Sequence, residues 1–307
     1  GIWSIRVCGA SESPREGVMA TEGNAHAIRF IHGLDLGSVP PEVDRQARAC
    51  LLDLLGACLA GADVKGARIL QDFALNQMAG PEEATVIRAG RKLPRAAAAL
   101  VNGFIANALD IDDGYRLVKG HPGSAVFPAI LAAAEHADAT GRALLEALIV
   151  GYEVAIRAGA ILHDHYGFYH GSGSWGAVGS AAGVSRLMGL SPEQTGHAMG
   201  VAESYAPLIP ELRAVAHPSM APKDGMAWGA LVGMSAALLA AGGYTGIPSL
   251  LGDPVRNADV FTLGRKFRMM RLYFKPYPCC RWAQPAIDGL RKIMDRDGLT
   301  SERIARI

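Results

Sequence analysis

Apolar residues recur every three to four positions over most of the chain, interrupted by Gly, Arg, Asp or Glu. After Val39 the sequence reads PPEVDRQARACLLDLLGACLAG. Here Val43, Ala47, Cys50, Leu51, Leu54, Leu55 and Cys58 share one helical face, and Pro40 and Pro41 stand where a first turn tolerates a missing amide proton. The same spacing, bounded by Gly, Pro or Ser, predicts helices at 67–78, 94–109, 125–137, 141–161, 175–188, 191–203 and 223–241. Ala84 to Ile87, before the turn at Gly90, reads as a strand. Small Ala and Gly side chains allow such helices to pack closely.

Around SLLGDPVRNAD (249–259) the pattern breaks into Gly, Asp, Pro and Asn and predicts a linker. Beyond it MMRLYFKPYPCC reads as extended, RWAQPAIDGLRKIMDRDG as a helix ending at Gly298, and ERIARI as the start of a strand. The expected fold class is mainly α, in three parts. Residues 1–18 form a disordered extension lacking the apolar stretch of a secretory signal, and 19–260 a large all-helical domain. Residues 261–307 are the beginning of a smaller α/β domain that the end of the chain cuts short.

Composition narrows the partners. With 307 residues, 50% hydrophobic, and a formal net charge of +1, the chain can bury a large core but carries no basic stripe, which argues against a nucleic-acid partner. No run of residues approaches the roughly 18–20 apolar positions of a membrane span. Cys8, Cys50, Cys58, Cys279 and Cys280 form no C-x-x-C pair, and an odd number argues against a disulfide framework, so a reducing, cytoplasmic setting is expected.

Four stretches can carry chemistry. Asp110, Asp112 and Asp113 in D-I-D-D follow an Ala-rich helix and precede Gly120-His121-Pro122, with Arg116 and Lys119 between them suited to an anion. The carboxylates read either as a divalent-cation site or, more commonly for a helix end, as solvated or loop-capping groups. The segment His163, His165, Tyr169, His170 leads into G-S-G-S-W-G. This matches a dinucleotide fingerprint formally, but lacks the apolar strand before it and the acidic residue at the end of a second strand. Its glycines read better as letting a helix N-terminus approach an anion, with His170 beside it. Lys223 stands at the start of an apolar helix, where a lysine opposes the helix dipole unless it snorkels to the surface. Lys275 is followed by Pro276 and Pro278, which stiffen its segment; the vicinal cysteines there have no neighbouring histidine and read as small apolar residues.

Taken together, VNGFIANALDIDD, GHPGSAVFPAILAAAEH with GYEVAIRAG, FYHGSGSWGAVGSAAGVSRLMGL, the Lys223 helix ending in GGYTG, and KPYPCCRWAQPAID resemble the MmgE/PrpD family from about Ala25 onward. The family includes 2-methylcitrate dehydratase, cis-aconitate decarboxylase and iminodisuccinate epimerase. The resemblance implies a larger helical domain, a smaller α/β domain, a homodimer, and no metal or organic cofactor. It places Asp110, His121, His170, Lys223 and Lys275 in the catalytic cleft and makes Arg116, Lys119, Tyr169, Cys280 and Arg281 contacts to a small polycarboxylate substrate. Three positions depart from the family pattern. Gly114 stands where many members carry Thr or Ser, Cys280 where the decarboxylase has a histidine, and Gln284 where many relatives have another residue.

The chemistry so implied is removal of a proton next to a carboxylate, with Lys223, Lys275, Arg116 and the histidines stabilising an enediolate. His121 is expected as general base or acid, Asp110 as the carboxylate that orients it or Lys223, and His170 opposite as proton donor or clamp. A hydro-lyase or an epimerase is the expected outcome. The alternatives are a cis-aconitate-type decarboxylase, disfavoured by Cys280, and a non-catalytic helical polycarboxylate-binding protein.

Overall fold

A computed structural model describes residues 21–221, 223–253 and 259–304, and these are mainly α-helical. The helices are α1 (Glu22–Gly33), α2 (Pro41–Gly61), α3 (Lys65–Gln77), α4 (Arg95–Asn107), α5 (Pro122–His136), α6 (Gly141–His165), α7 (Gly173–Leu187), α8 (Pro192–Tyr205), α9 (Glu211–Ala216), α10 (Met226–Ala241) and α11 (Gln284–Asp297). Between α3 and α4 a hairpin pairs β1 (Ala84–Val86) with β2 (Arg91–Leu93), Ala84 opposite Leu93. Local chemistry sets several helix starts. Thr21 accepts from the Asn24 amide, Thr140 from the Ala143 amide, and Ser191 with Gln194 forms a reciprocal capping box before Pro192.

Helix α10 is the centre of the bundle, packed against α4, α5, α7 and α8, while α6 lies along α5 and α7. Its approach to α7 depends on glycine: a Cβ at Gly229 would sit 2.6 Å from the Gly173 carbonyl oxygen. The stretch Lys223–Ala241, with 19 residues of mean hydropathy 1.3, is long and apolar enough to cross a membrane, which corrects the expectation that no run comes close. In this fold 56% of it is buried against neighbouring helices, and a core helix packed on several sides has the same composition.

Residues 259–271, beyond the expected linker, pack onto the same core: Val260, Leu263 and Met269 are buried with the helical body. A wholly buried ion pair on α6 holds them. Arg157 Nη1 donates to Glu153 Oε2 at 2.6 Å, and its other nitrogens donate to the Asp259 carbonyl, Thr262 Oγ1 and the Lys266 carbonyl. Glu153 in turn accepts the Arg268 and Met269 amides at 3.0 and 2.9 Å. This anchor delivers Tyr273 and Lys275 to the acidic loop after α4. From 273 to 304 the described residues contain α11 and short 3₁₀ turns but no strand; Glu302 and Arg303 of the expected strand at 302–307 lie in such a turn, and 305–307 lie outside the described residues. The expected N-terminal extension, 1–18, lies outside the described residues, as does Cys8.

Candidate active site

The D-I-D-D loop is a turn of unusual backbone. Asp110 and Lys119 adopt left-handed conformations (φ 55° and 50°), and the Asp110 amide donates to the Asn107 carbonyl at the end of α4. Asp112 and Asp113 are fully buried and structurally committed. Asp112 accepts from Asn107 Nδ2 at 2.9 Å and Ser124 Oγ at 2.5 Å, whereas Asp113 accepts from the Gly123 amide at 3.0 Å and from the Tyr152 hydroxyl. Together they tie α4, the first turn of α5 and α6 to one point, with negative charge at the α5 N-terminus where the helix dipole favours it. Burial, opposed by the Tyr152 hydrogen bond and reinforced by Asp112, pushes the Asp113 carboxyl up to about 7.

His121 precedes α5 and is buried at its N-cap, its amide donating to Ser172 Oγ at 3.0 Å. Nδ1 lies 2.9 Å from the Asp113 carbonyl oxygen, which can only accept, so Nδ1 carries a proton. Nε2 lies 3.3 Å from Asp110 Oδ1 and 3.2 Å from Asp224 Oδ2. Burial alone would lower its pKa; Asp112 and Asp224 outweigh that and hold the ring up at about 9, so at neutral pH it is an imidazolium.

Asp110 gathers the two lysines. Lys275 Nζ lies 2.6 Å from its carbonyl oxygen and 2.5 Å from Oδ1, and Lys223 Nζ lies 3.9 Å from Oδ2. Lys223, Asp224 and Gly225 form a left-handed run (φ 21°, 51° and 71°) ahead of α10. Lys223 therefore precedes the helix and does not sit in its first turn, and each non-glycine residue in that run costs about 1–3 kcal/mol. Within that run Asp224 Oδ2 lies 3.2 Å from His121 Nε2. Beside Asp224, burial and the Asp224 charge push the Glu211 carboxyl up, while burial of Asp224 is overcome by His121 and Asp224 is held well below the usual carboxylate range.

In front of His121 opens a cleft of about 550 Å³ lined by Arg116, Lys119, Gly120, Tyr169, Tyr273, Cys280, Arg281, Trp282 and Pro285 as well. All five residues expected to contact substrate line it. The Tyr169 hydroxyl donates to the Lys119 carbonyl, and its ring stacks on Trp282 with centroids 6.2 Å apart, so the wall between these loops is held by aromatic contacts.

The five expected catalytic residues divide. His121 lines the cleft; Asp110, Lys223 and Lys275 converge on it from behind. Lys275 belongs to the positioning layer, because its side chain is 0% exposed and its ammonium is spent on Asp110. His170 is not brought to the cluster. It is fully buried among His163, Tyr166 and Phe168, with neither ring nitrogen hydrogen-bonded among the described residues, and burial, then His163 and Lys119, lower its pKa to about 4. The glycines after it serve packing rather than an anion: a Cβ at Gly171 would press on the Asp224 carbonyl at 2.9 Å and on Glu211 Oε2 at 3.0 Å. Sequence reasoning missed Asp224, Glu211 and Tyr273. Of these Asp224 left a signal, since K-D-G before an apolar helix marks a left-handed turn.

Asp110, Asp112 and His121 place one donor atom each within 4.8 Å of one another, a metal-like grouping. An imidazolium has no lone pair to give, and Lys275 already neutralises Asp110. Turnover is therefore expected to survive dialysis against EDTA; loss with recovery on adding Mg²⁺ or Zn²⁺ would contradict the proton-based reading of this cluster.

A helical body with an acid–lysine–histidine cluster beneath a cationic cleft defines the class, and comparison of the whole chain agrees with it. Residues 26–270 match the MmgE/PrpD N-terminal domain, and the chain belongs to the MmgE/PrpD family. It is 31% identical to a cis-aconitate decarboxylase-like protein, oryM, of Aspergillus oryzae over 89% of this chain and 62% of that protein. It is 24% identical to a cis-aconitate decarboxylase of Aspergillus terreus over 89% of this chain and 60% of the relative. Homo sapiens cis-aconitate decarboxylase is 31% identical over 61% of this chain and 39% of its own length. The chain thus spans about three fifths of the length of the first two relatives.

Proposed function

We propose that the protein is a lyase that removes CO₂ from an unsaturated tricarboxylate of the cis-aconitate kind. The observation that carries this reading is the setting of His121, with Nδ1 on the Asp113 carbonyl and Nε2 between Asp110 and Asp224, a placement that favours its protonated form at the floor of a cleft walled by Arg116, Lys119 and Arg281. When a carboxylate attached to the carbon next to a C=C bond leaves as CO₂, the bonding pair of the broken C–C bond moves into the alkene. The double bond shifts, and negative charge builds on the carbon beside a remaining carboxylate. That carbon then needs a proton, and an imidazolium supplies it. The cleft cations stabilise the dienolate oxygens as charge develops. His121 thus acts as acid, one of the two roles expected of it, and Asp110, with Lys223 and Lys275 behind it, fixes the ring.

The names of the relatives support this choice over epimerisation. Epimerisation also needs a base on the opposite face of the substrate, and His170, the neutral histidine, lies outside the cleft. A hydro-lyase remains the second reading, because an imidazolium can also protonate a departing hydroxide. The test is cis-aconitate incubated with the full-length protein in D₂O and followed by NMR and CO₂ release. One deuterium in the product for each CO₂ is the expected result. Hydration without CO₂ would favour the hydro-lyase, and binding with no change would leave a polycarboxylate-binding protein in place of an enzyme.

A further inference from the structure

The cleft contains two tyrosines in different situations. Tyr169 has its hydroxyl engaged by the Lys119 carbonyl. The Tyr273 hydroxyl has no hydrogen-bond partner among the described residues, although its ring is held on three sides. Its backbone forms a reciprocal bridge with Gly114, each amide donating to the other's carbonyl at 3.0 Å, so Tyr273 is pinned to the end of the acidic loop. The phenol then lies across Gly114: a Cβ on that residue would overlap Tyr273 Cζ and the hydroxyl oxygen. On the cleft side the Arg281 guanidinium sits 5.5 Å from the ring centroid. Burial raises the phenol to about 12 against the pull of Arg281, so the group stays a neutral donor across the working range.

A side chain needed only for packing would serve as well as phenylalanine. Here glycine at 114 clears space for the polar tip, and Tyr273 lines a cleft shared with His121, Arg116 and Arg281. We propose that the Tyr273 hydroxyl is a substrate-contacting donor, hydrogen-bonding a carboxylate oxygen of the bound polycarboxylate beside Arg281, and that Gly114 is the residue that lets it reach there. The inference rests on the polycarboxylate reading of the cleft. It also gives Gly114 a function: the hydroxyl that side chain cannot supply comes from a residue on the opposite segment.

The test is calorimetric titration of the full-length protein with tricarballylate, a saturated tricarboxylate with no alkene to react, for the wild type, Tyr273→Phe, Gly114→Ala and the double variant. Tyr273→Phe is expected to weaken binding about 10- to 100-fold, the size of one hydrogen bond to a charged group. Gly114→Ala, which displaces the phenol, is expected to lose a comparable factor, and the double variant no more than the weaker single one, because both remove the same contact. If the wild type binds and Tyr273→Phe binds within about twofold of it, the hydroxyl contact is overturned while the polycarboxylate reading stands. If the wild type neither binds tricarballylate nor turns over cis-aconitate, both fall. Should Gly114→Ala fail to fold, the conservative Tyr273→Phe variant decides alone.

Discussion

Replacing His121 with glutamine is expected to lower turnover about 10²- to 10⁴-fold, the range over which one positioned proton donor acts. The pH profile carries the sharper signature. With its pKa held at about 9, the ring is charged at neutral pH, so the wild-type rate should stay level there and fall as pH rises through about 9. The glutamine variant should lack that alkaline limb. Stability moves in the same direction. The folded pKa exceeds the ordinary 6.5, so the charged ring stabilises the fold fully below that value and loses its contribution as pH rises through about 9. Turnover must therefore be compared per folded molecule. A variant within tenfold of the wild type that keeps the alkaline limb would remove His121 from the chemistry.

Lys275→Met is the second large effect, and it should differ in kind. Removing a buried ammonium takes away the shortest of the cationic contacts to Asp110 and leaves it His121 at 3.3 Å and Lys223 at 3.9 Å; breaking such a pair costs about 3 kcal/mol, the low end of the usual range because Asp110 keeps these partners and partial solvent contact. An Asp110 carboxylate free to shift by about 1 Å misplaces His121, enough for a further drop in turnover of roughly 10². Lys275 also holds the His121 pKa down, so the alkaline limb should move above about 9 in the variant. A purely structural lysine would lower the unfolding temperature without moving that limb. Adding Asp110→Asn removes the stranded charge and should recover stability but not rate, which thermal unfolding and a kcat–pH series would resolve.

What the sequence revealed follows from how far each interaction reaches. Helices α2 to α8 and α10 were legible because their burial is periodic within a dozen residues. Helix α1 went unread although Thr21 offers a cap and Asn24, Ala27, Ile28 and Ile31 are buried at helical spacing, so its signal was local and present in EGNAHAIRFIHG. Strand β2 is three residues of RKL, two of them exposed, and exists only through its partner β1. In the site, the cationic lining of the cleft could be named from motifs. Burial of Lys275 could not, because its partner Asp110 lies 165 residues away in the chain. The place of His170 was misread for a related reason: a histidine in FYHG gives no hint of which neighbours enclose it.

His121 is held at both ring nitrogens, by the Asp113 carbonyl on one side and two carboxylates on the other. The Nε2 proton, shared between carboxylates at 3.3 and 3.2 Å, is the one the proposed reaction would spend, and the same contacts offer a way to replace it. Asp224 is the link, and behind it stands Glu211, whose buried carboxyl is pushed up and so retains its proton. In the proposed reaction the acidic cluster that charges the ring would also store its replacement, and recharging would be an internal event with its own timing. On that reading proton supply and substrate capture would be divided: the cleft would handle the anion while the acids behind it reset the donor.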